Sequence, residues 1–199
     1  MTQFLIVFLL MISNLMGGLS FAREVLKSSP SPTPKIITAD PPQDLETCFS
    51  PDMPCREKLI QFILNTKSSL DIAIYDLTDR YIADAIVKIT TKNPPCLVRI
   101  VVDQIQSGKS YSQVSFLQSK GITIKPGKQS KLMHNKFMIQ DDKMIETGSF
   151  NYSVNASESN QENQVYLANP TIVSAYKKRF ESMWKKTDPW TAPKKTKPL

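Results

Sequence analysis

The sequence predicts an α/β layered domain, with a central mixed, mostly parallel β-sheet flanked by helices. Three observations carry this. Between Pro54 and Trp184, short strand-like apolar runs alternate with segments whose apolar residues recur at helical spacing. Two of the runs, 70–75 and 97–102, are dominated by Leu, Ile and Val and read as buried strands. Cap and breaker residues stand where the pattern changes period.

Taken in order, residues 55–65 carry Leu59, Ile60, Phe62 and Ile63 on one helical face. The strand at 70–75 follows. Asp79 can cap a helix whose Ile82, Ala85, Ile86 and Ile89 share a face, and Asn93-Pro94-Pro95 stops it. After the strand at 97–102 comes a short helix over 112–120, ended by Gly121, and a strand at 122–125. Two apolar runs, 137–139 and 143–145, flank Asp141-Asp142 and read as a hairpin. A strand at 163–167 and a helix from Pro170 through Trp184 complete the domain.

Outside that domain the composition changes. Residues 1–22 carry no charged side chain, hold an apolar run at 4–12 and end on Ser20-Phe21-Ala22, as a cleaved secretory signal peptide does. The alternative is a retained N-terminal membrane anchor, because 4–22 is barely long enough to span a bilayer. Either way the remainder is exported, periplasmic or secreted in the first case. Residues 23–46, rich in Pro and Ser, read as a linker, 47–184 as the domain, and 185–199 as a basic disordered tail. In an oxidising compartment Cys48 and Cys55 can form a short disulfide loop, with two separate buried thiols as the alternative. Cys96 is left as a buried thiol at the start of a strand.

The chemistry concentrates in 131–151. His134 is the one histidine in 199 residues, and Lys136 follows two positions later. On a strand both point the same way, which makes an anion site carrying a nucleophile. A hairpin would bring Ser149 and Asn151 back beside His134 as hydroxyl and amide donors. Each of these residues alone is ordinary: a lone histidine, a solvated lysine, a turn aspartate, a Gly-Ser loop. Their spacing as a set is what carries information.

That set, His134-x-Lys136, then Asp141, then Gly148-Ser149-x-Asn151, resembles the signature of the phospholipase D superfamily. Cys48-Phe49-Ser50-Pro51 with Cys55, the stretches 71–75 and 99–103, and Gln161-Glu162-Asn163 are similar to single-motif members, the bacterial Nuc-type endonucleases and mitochondrial cardiolipin hydrolase. The likeness covers roughly 46–184 and implies a phospholipase D-like fold and a homodimer. It implies that His134 attacks phosphorus to give a phosphohistidine, and that Glu162 hydrogen-bonds the far ring nitrogen. Lys136, Ser149 and Asn151 would hold the phosphate oxygens. Asp141 belongs to the catalytic set but reads as structural within it. Protonating the leaving oxygen takes a second group titrating near neutrality, and a chain with one histidine must borrow it across a two-fold axis. No metal or cofactor is needed on this scheme.

A net charge of +7, none of it from 1–22, attracts polyanions. Lys125, Lys128 and Lys131 precede the motif, and Lys177-Lys178-Arg179 lie on the last helix. The leading expectation is therefore a nuclease acting on DNA or RNA without strong base preference. A phospholipase acting on anionic membrane lipid such as cardiolipin is the alternative, and a non-catalytic nucleic-acid- or membrane-binding protein the third reading.

Overall fold

Period-two patterning places the core. In strand β2 (Ser69–Ile74), Leu70, Ile72 and Ile74 face one apolar cluster while Ala73 faces a second on the opposite side. This computed structural model describes residues 45–127, 131–185 and 187–191. The leader expected at 1–22, the linker up to 44 and the tail beyond 191 lie outside the described residues.

Six more strands share the sheet: β1 (Leu45–Ser50), β3 (Leu97–Val102), β4 (Thr123–Pro126), β5 (Lys136–Gln140), β6 (Met144–Gly148) and β7 (Glu162–Leu167). Their spatial order is β1-β7-β6-β5-β2-β3-β4. The sheet is mixed as expected, but parallel pairing does not predominate. Only β2–β3 and β3–β4 run parallel, and the other neighbours are antiparallel. For β5 and β6 the reason is connection length. A parallel return needs a helical crossover, whereas β5 and β6 are joined by a tight turn.

Helices α1 (Cys55–Leu64), α2 (Arg80–Thr90) and α4 (Val114–Ser119) cover the Leu70 face through Leu59, Ile63, Ile82, Ile86, Ile89 and Leu117. The one-turn α3 (Gln104–Ser107) and the short α5 (Val154–Glu158) shape loops at the sheet's end. On the other face α6 (Pro170–Trp184) lays down Val173, Phe180 and Met183. Asp79 caps α2 as its position predicts, accepting from the amides of Tyr81 and Ile82. Among the described residues no helix is long and apolar enough to cross a membrane.

An ion cluster ties α6 to the sheet. Asp71, 3% exposed, accepts two hydrogen bonds from Arg99 at 2.7 and 2.8 Å and one from Lys177 at 2.7 Å. Arg99 also donates to Glu181 at 2.7 Å, and Lys177 to Asp142 at 2.6 Å. Lys177 is thus spent on structure. So is Lys125, which donates to the Trp184 carbonyl and lies over that indole.

Three further features refine the sequence reading. β1 begins at Leu45, two residues inside the stretch read as linker, and the Cys48–Cys55 disulfide joins it to α1 with Cα atoms 5.6 Å apart. Cys96 is a buried free thiol just ahead of β3. The stretch expected to be a disordered tail instead packs back at Trp190, which is 1% exposed. Its amide donates to the Ile124 carbonyl and its carbonyl accepts from Gln118.

Glu146 on β6 is buried between Met138 and Tyr166 on the neighbouring strands. Burial pushes its carboxyl pKa up from 4.5 to about 8, against the opposing hydrogen bond donated by Tyr152 at 2.9 Å. The folded state therefore holds a proton that the unfolded chain releases. The resulting stability is full below the unfolded value and is lost as pH rises through about 8. The neutral variant Glu146→Gln should melt above the wild type at about pH 9, and the gap should close towards about pH 5. Thermal unfolding of both proteins across that range checks it.

Candidate active site

One edge of the sheet collects the ends of β2 and β3 and the start of β5. Ligands in open α/β sheets gather at such a carboxyl edge, where backbone groups and loops are free to turn towards them. Lys136, first residue of β5, pairs with Ile74, last residue of β2. Tyr75 and Asp76 follow directly on β2, and His134 stands two residues ahead of Lys136.

The alternation predicted from His134-x-Lys136 is present. Lys136 Nζ lies 3.4 Å from both His134 ring nitrogens and 3.2 Å from the His134 carbonyl oxygen. The imidazole is exposed, whereas Lys136 is only 8% exposed. Burial lowers the Lys136 pKa, with the charges of Glu162 and Asp76 opposing that shift. An ammonium stripped of much of its water attracts an incoming anion more strongly than a surface lysine does. The Tyr75 ring backs both groups, 4.5 Å from the His134 ring and 5.2 Å from Lys136 Nζ, and its hydroxyl accepts from Gln106 Nε2 at 2.7 Å.

The Gly-Ser-x-Asn segment returns to the same edge. Thr147 pairs with Phe137 and its hydroxyl donates to the Lys136 carbonyl at 3.1 Å, so the chain leaving β6 emerges where β5 begins. Gly148 lies against the Asn163 carbonyl so closely that no Cβ would fit, which explains the glycine. Ser149 donates its hydroxyl to Glu162 and accepts from the Asn163 amide at 3.1 Å. The Asn151 carboxamide oxygen is buried without a hydrogen-bond partner among the described residues.

Two expected site residues have other partners. Glu162 does not bond the imidazole here. It accepts from the Ser149 hydroxyl and from Asn160 Nδ2 at 3.0 Å, because the β6–β7 pairing brings Ser149 to it first. Its charge still reaches Lys136. Asp141 stands at the far end of β5 from the site, in a turn where it and Asp142 take φ of 53° and 55°. Its carboxylate accepts from the amides of Lys67, Ser68 and Ser69 and from the Ser68 hydroxyl, at 2.7–3.0 Å for the shortest contact of each. Burial acts to raise its pKa, but the amides of Ser69, Lys67 and Ser68 outweigh it and hold the group below the ordinary carboxylate range. The structural reading of Asp141 fits this placement.

Tyr75 and Asp76 are the site residues that sequence reasoning missed. Burial raises the Asp76 pKa, against the charges of Lys109 and Lys136, and its Oδ1 is buried and unpartnered among the described residues. The available signal was their position, the first two residues beyond a buried parallel strand.

An imidazole and a desolvated ammonium meet at the carboxyl edge of a mixed sheet, with Gly-Ser-x-Asn returning beside them, the arrangement of a His-x-Lys site. The chain belongs to the phospholipase D superfamily: the family model "Cardiolipin synthase, PLD-like domain" matches residues 59–184. It is similar to the mitochondrial cardiolipin hydrolase of Xenopus tropicalis, 30% identical over 132 residues that cover 66% of this chain and 62% of that one. It is also similar to phospholipase D of Rickettsia prowazekii (strain Madrid E), 28% identical over 133 residues, 67% of this chain and 64% of that protein. The chain thus spans less than two thirds of the length of either relative. Its fold is like that of Nuc, a phospholipase D family member from Salmonella typhimurium, with a TM-score of 0.69 over 75% of this chain and 99% of that one, at 24% identity.

Because Asp141 holds a turn rather than substrate, its loss should register in stability first. Asp141→Ala should lower the unfolding free energy by about 2–3 kcal/mol, read from urea denaturation, since it orphans several backbone donors. The folded fraction should keep kcat within about tenfold of wild type, a barrier change of about 1.4 kcal/mol. A variant of normal stability and no activity would place Asp141 in the chemistry.

Proposed function

We propose that the protein is a metal-independent phosphodiesterase that cuts nucleic-acid backbones as a homodimer, with little base preference. The observation that carries this reading is the His134–Lys136 pair, 3.4 Å apart and half sunk into the edge of the sheet. A phosphodiester is anionic and resists attack, so catalysis needs neutralised charge, a nucleophile and an acid for the leaving oxygen.

Lys136 takes the non-bridging oxygens, with the Asn151 amide as a further donor. The His134 ring nitrogen attacks phosphorus, a P–N bond forms and the P–O bond to the leaving alcohol breaks. The imidazole of a second copy of the chain protonates that departing oxygen. The same imidazole then deprotonates the water that cleaves the P–N bond, restoring both rings. Glu162, through Ser149, orders the Gly-Ser-x-Asn loop beside Lys136. With one histidine per chain, the scheme closes only across a two-fold axis.

The basic net charge of +7 supports a polyanionic substrate. A second reading, hydrolysis of phospholipid headgroups, is supported by relatives named mitochondrial cardiolipin hydrolase and phospholipase D. Export is supported by the uncharged apolar stretch at 1–22 together with the Cys48–Cys55 disulfide.

The test is a substrate panel. Purified protein with excess chelator is given plasmid, single-stranded DNA, RNA and cardiolipin vesicles in parallel. Nucleic-acid cleavage should persist under chelation, and His134→Asn should reduce it by at least about a thousandfold. Turnover of cardiolipin alone would move the assignment to the lipid reading. Activity restored only by a divalent ion would contradict the scheme.

A further inference from the structure

Not every member of the basic clusters is consumed by the fold. Lys131 and Arg179 form no salt bridge among the described residues, unlike Lys177, and both are exposed. They stand at the rim of one cavity of about 310 Å³, whose walls include Asn135, Ser182, Met133 and Met183. None of the described lining residues is acidic.

The cavity lies on the α6 side of the chain segment that carries the nucleophile. Met133 and Asn135 flank His134; Met133 belongs to the apolar cluster under α6, and Asn135 Nδ2 reaches Met183 on that helix. The Asn135 carboxamide is poorly satisfied: its Nδ2 reaches only the sulfurs of Met133 at 3.4 Å and Met183 at 3.7 Å. Thioether sulfur is a weak acceptor, so this amide gains from a stronger one. A guanidinium, an ammonium, an under-used amide and the Ser182 hydroxyl around an open cavity make a donor set suited to a phosphate group.

We propose that this cavity is a subsite for the phosphate next to the scissile one along a nucleic-acid strand. The inference rests on the nuclease reading above and specifies how substrate is held. Its walls are one peptide step from His134, about 3.8 Å between Cα atoms. A nucleic-acid strand carries one negative charge per nucleotide, so a strand crossing this edge can seat one phosphate at His134 and the next in the cavity. The apolar walls from Met133 and Met183 then meet sugar rather than phosphate.

The experiment compares three probes: bis(p-nitrophenyl) phosphate, a dinucleotide with one phosphodiester, and that dinucleotide with an added 5′- or 3′-phosphate, in deoxy and ribo forms. For wild type, one of the terminal phosphates should raise kcat/KM for the dinucleotide by about tenfold, the gain expected of a charge-assisted contact. Arg179→Gln and Lys131→Gln should each lose most of that gain, read as a ratio to bis(p-nitrophenyl) phosphate turnover by the same protein. That ratio cancels differences in folded fraction, and the two separate variants keep the test open if one fails to fold. Absence of the gain in wild type, or its survival in both variants while dinucleotides are still cut, would overturn the subsite and leave the nuclease reading standing. Turnover of bis(p-nitrophenyl) phosphate with no dinucleotide cleaved would overturn both.

Discussion

Four donors from the turn at 67–69 converge on the carboxylate of Asp141, and the register of β5 depends on that contact. The Asp141 amide donates in return to the Ser69 carbonyl at 2.9 Å, so the end of β5 and the start of β2 are clamped together. From there the antiparallel ladder runs Leu70↔Gln140 to Ile74↔Lys136. A one-residue slip would turn Lys136 towards α6 and Phe137 towards the site. The clamp lies at one end of the strand and the chemistry at the other.

At the chemical end, burial and charge are in tension. Lys136 is largely removed from water, and the nearby carboxylates of Glu162 and Asp76 offset that cost only in part. An anion arriving beside His134 would complete the compensation, as the proposed phosphate chemistry requires. Tyr75 holds imidazole and ammonium apart from the Leu70 core, and Gln106 holds Tyr75.

Much of this was legible in the sequence because it depended on local patterning. Helix α6 follows from Pro170 and an apolar face, α2 from Asp79 and its isoleucines, and the His134–Lys136 pair from period-two alternation. What was not legible depended on contacts distant in sequence. The share of antiparallel pairing comes from β7 inserting between β1 and β6, which no local pattern encodes. Trp190 docks because Ile124 and Gln118 offer backbone and amide partners across about seventy residues. Glu162 bonds Ser149 rather than His134 because the β6–β7 register decides which partner is nearer. Asp76 escaped notice because its significance lies in burial beside Lys136, a property of the fold and not of its neighbours in sequence.

The central claim is that one catalytic centre uses two imidazoles from two chains, since each chain supplies one. Wild-type protein mixed in varying ratio with His134→Asn protein, and left until subunits exchange fully, tests it directly. Heterodimers keep a single imidazole, so activity should follow the square of the wild-type fraction. A linear dependence, or full activity from a monomer on a sizing column, would contradict the shared centre.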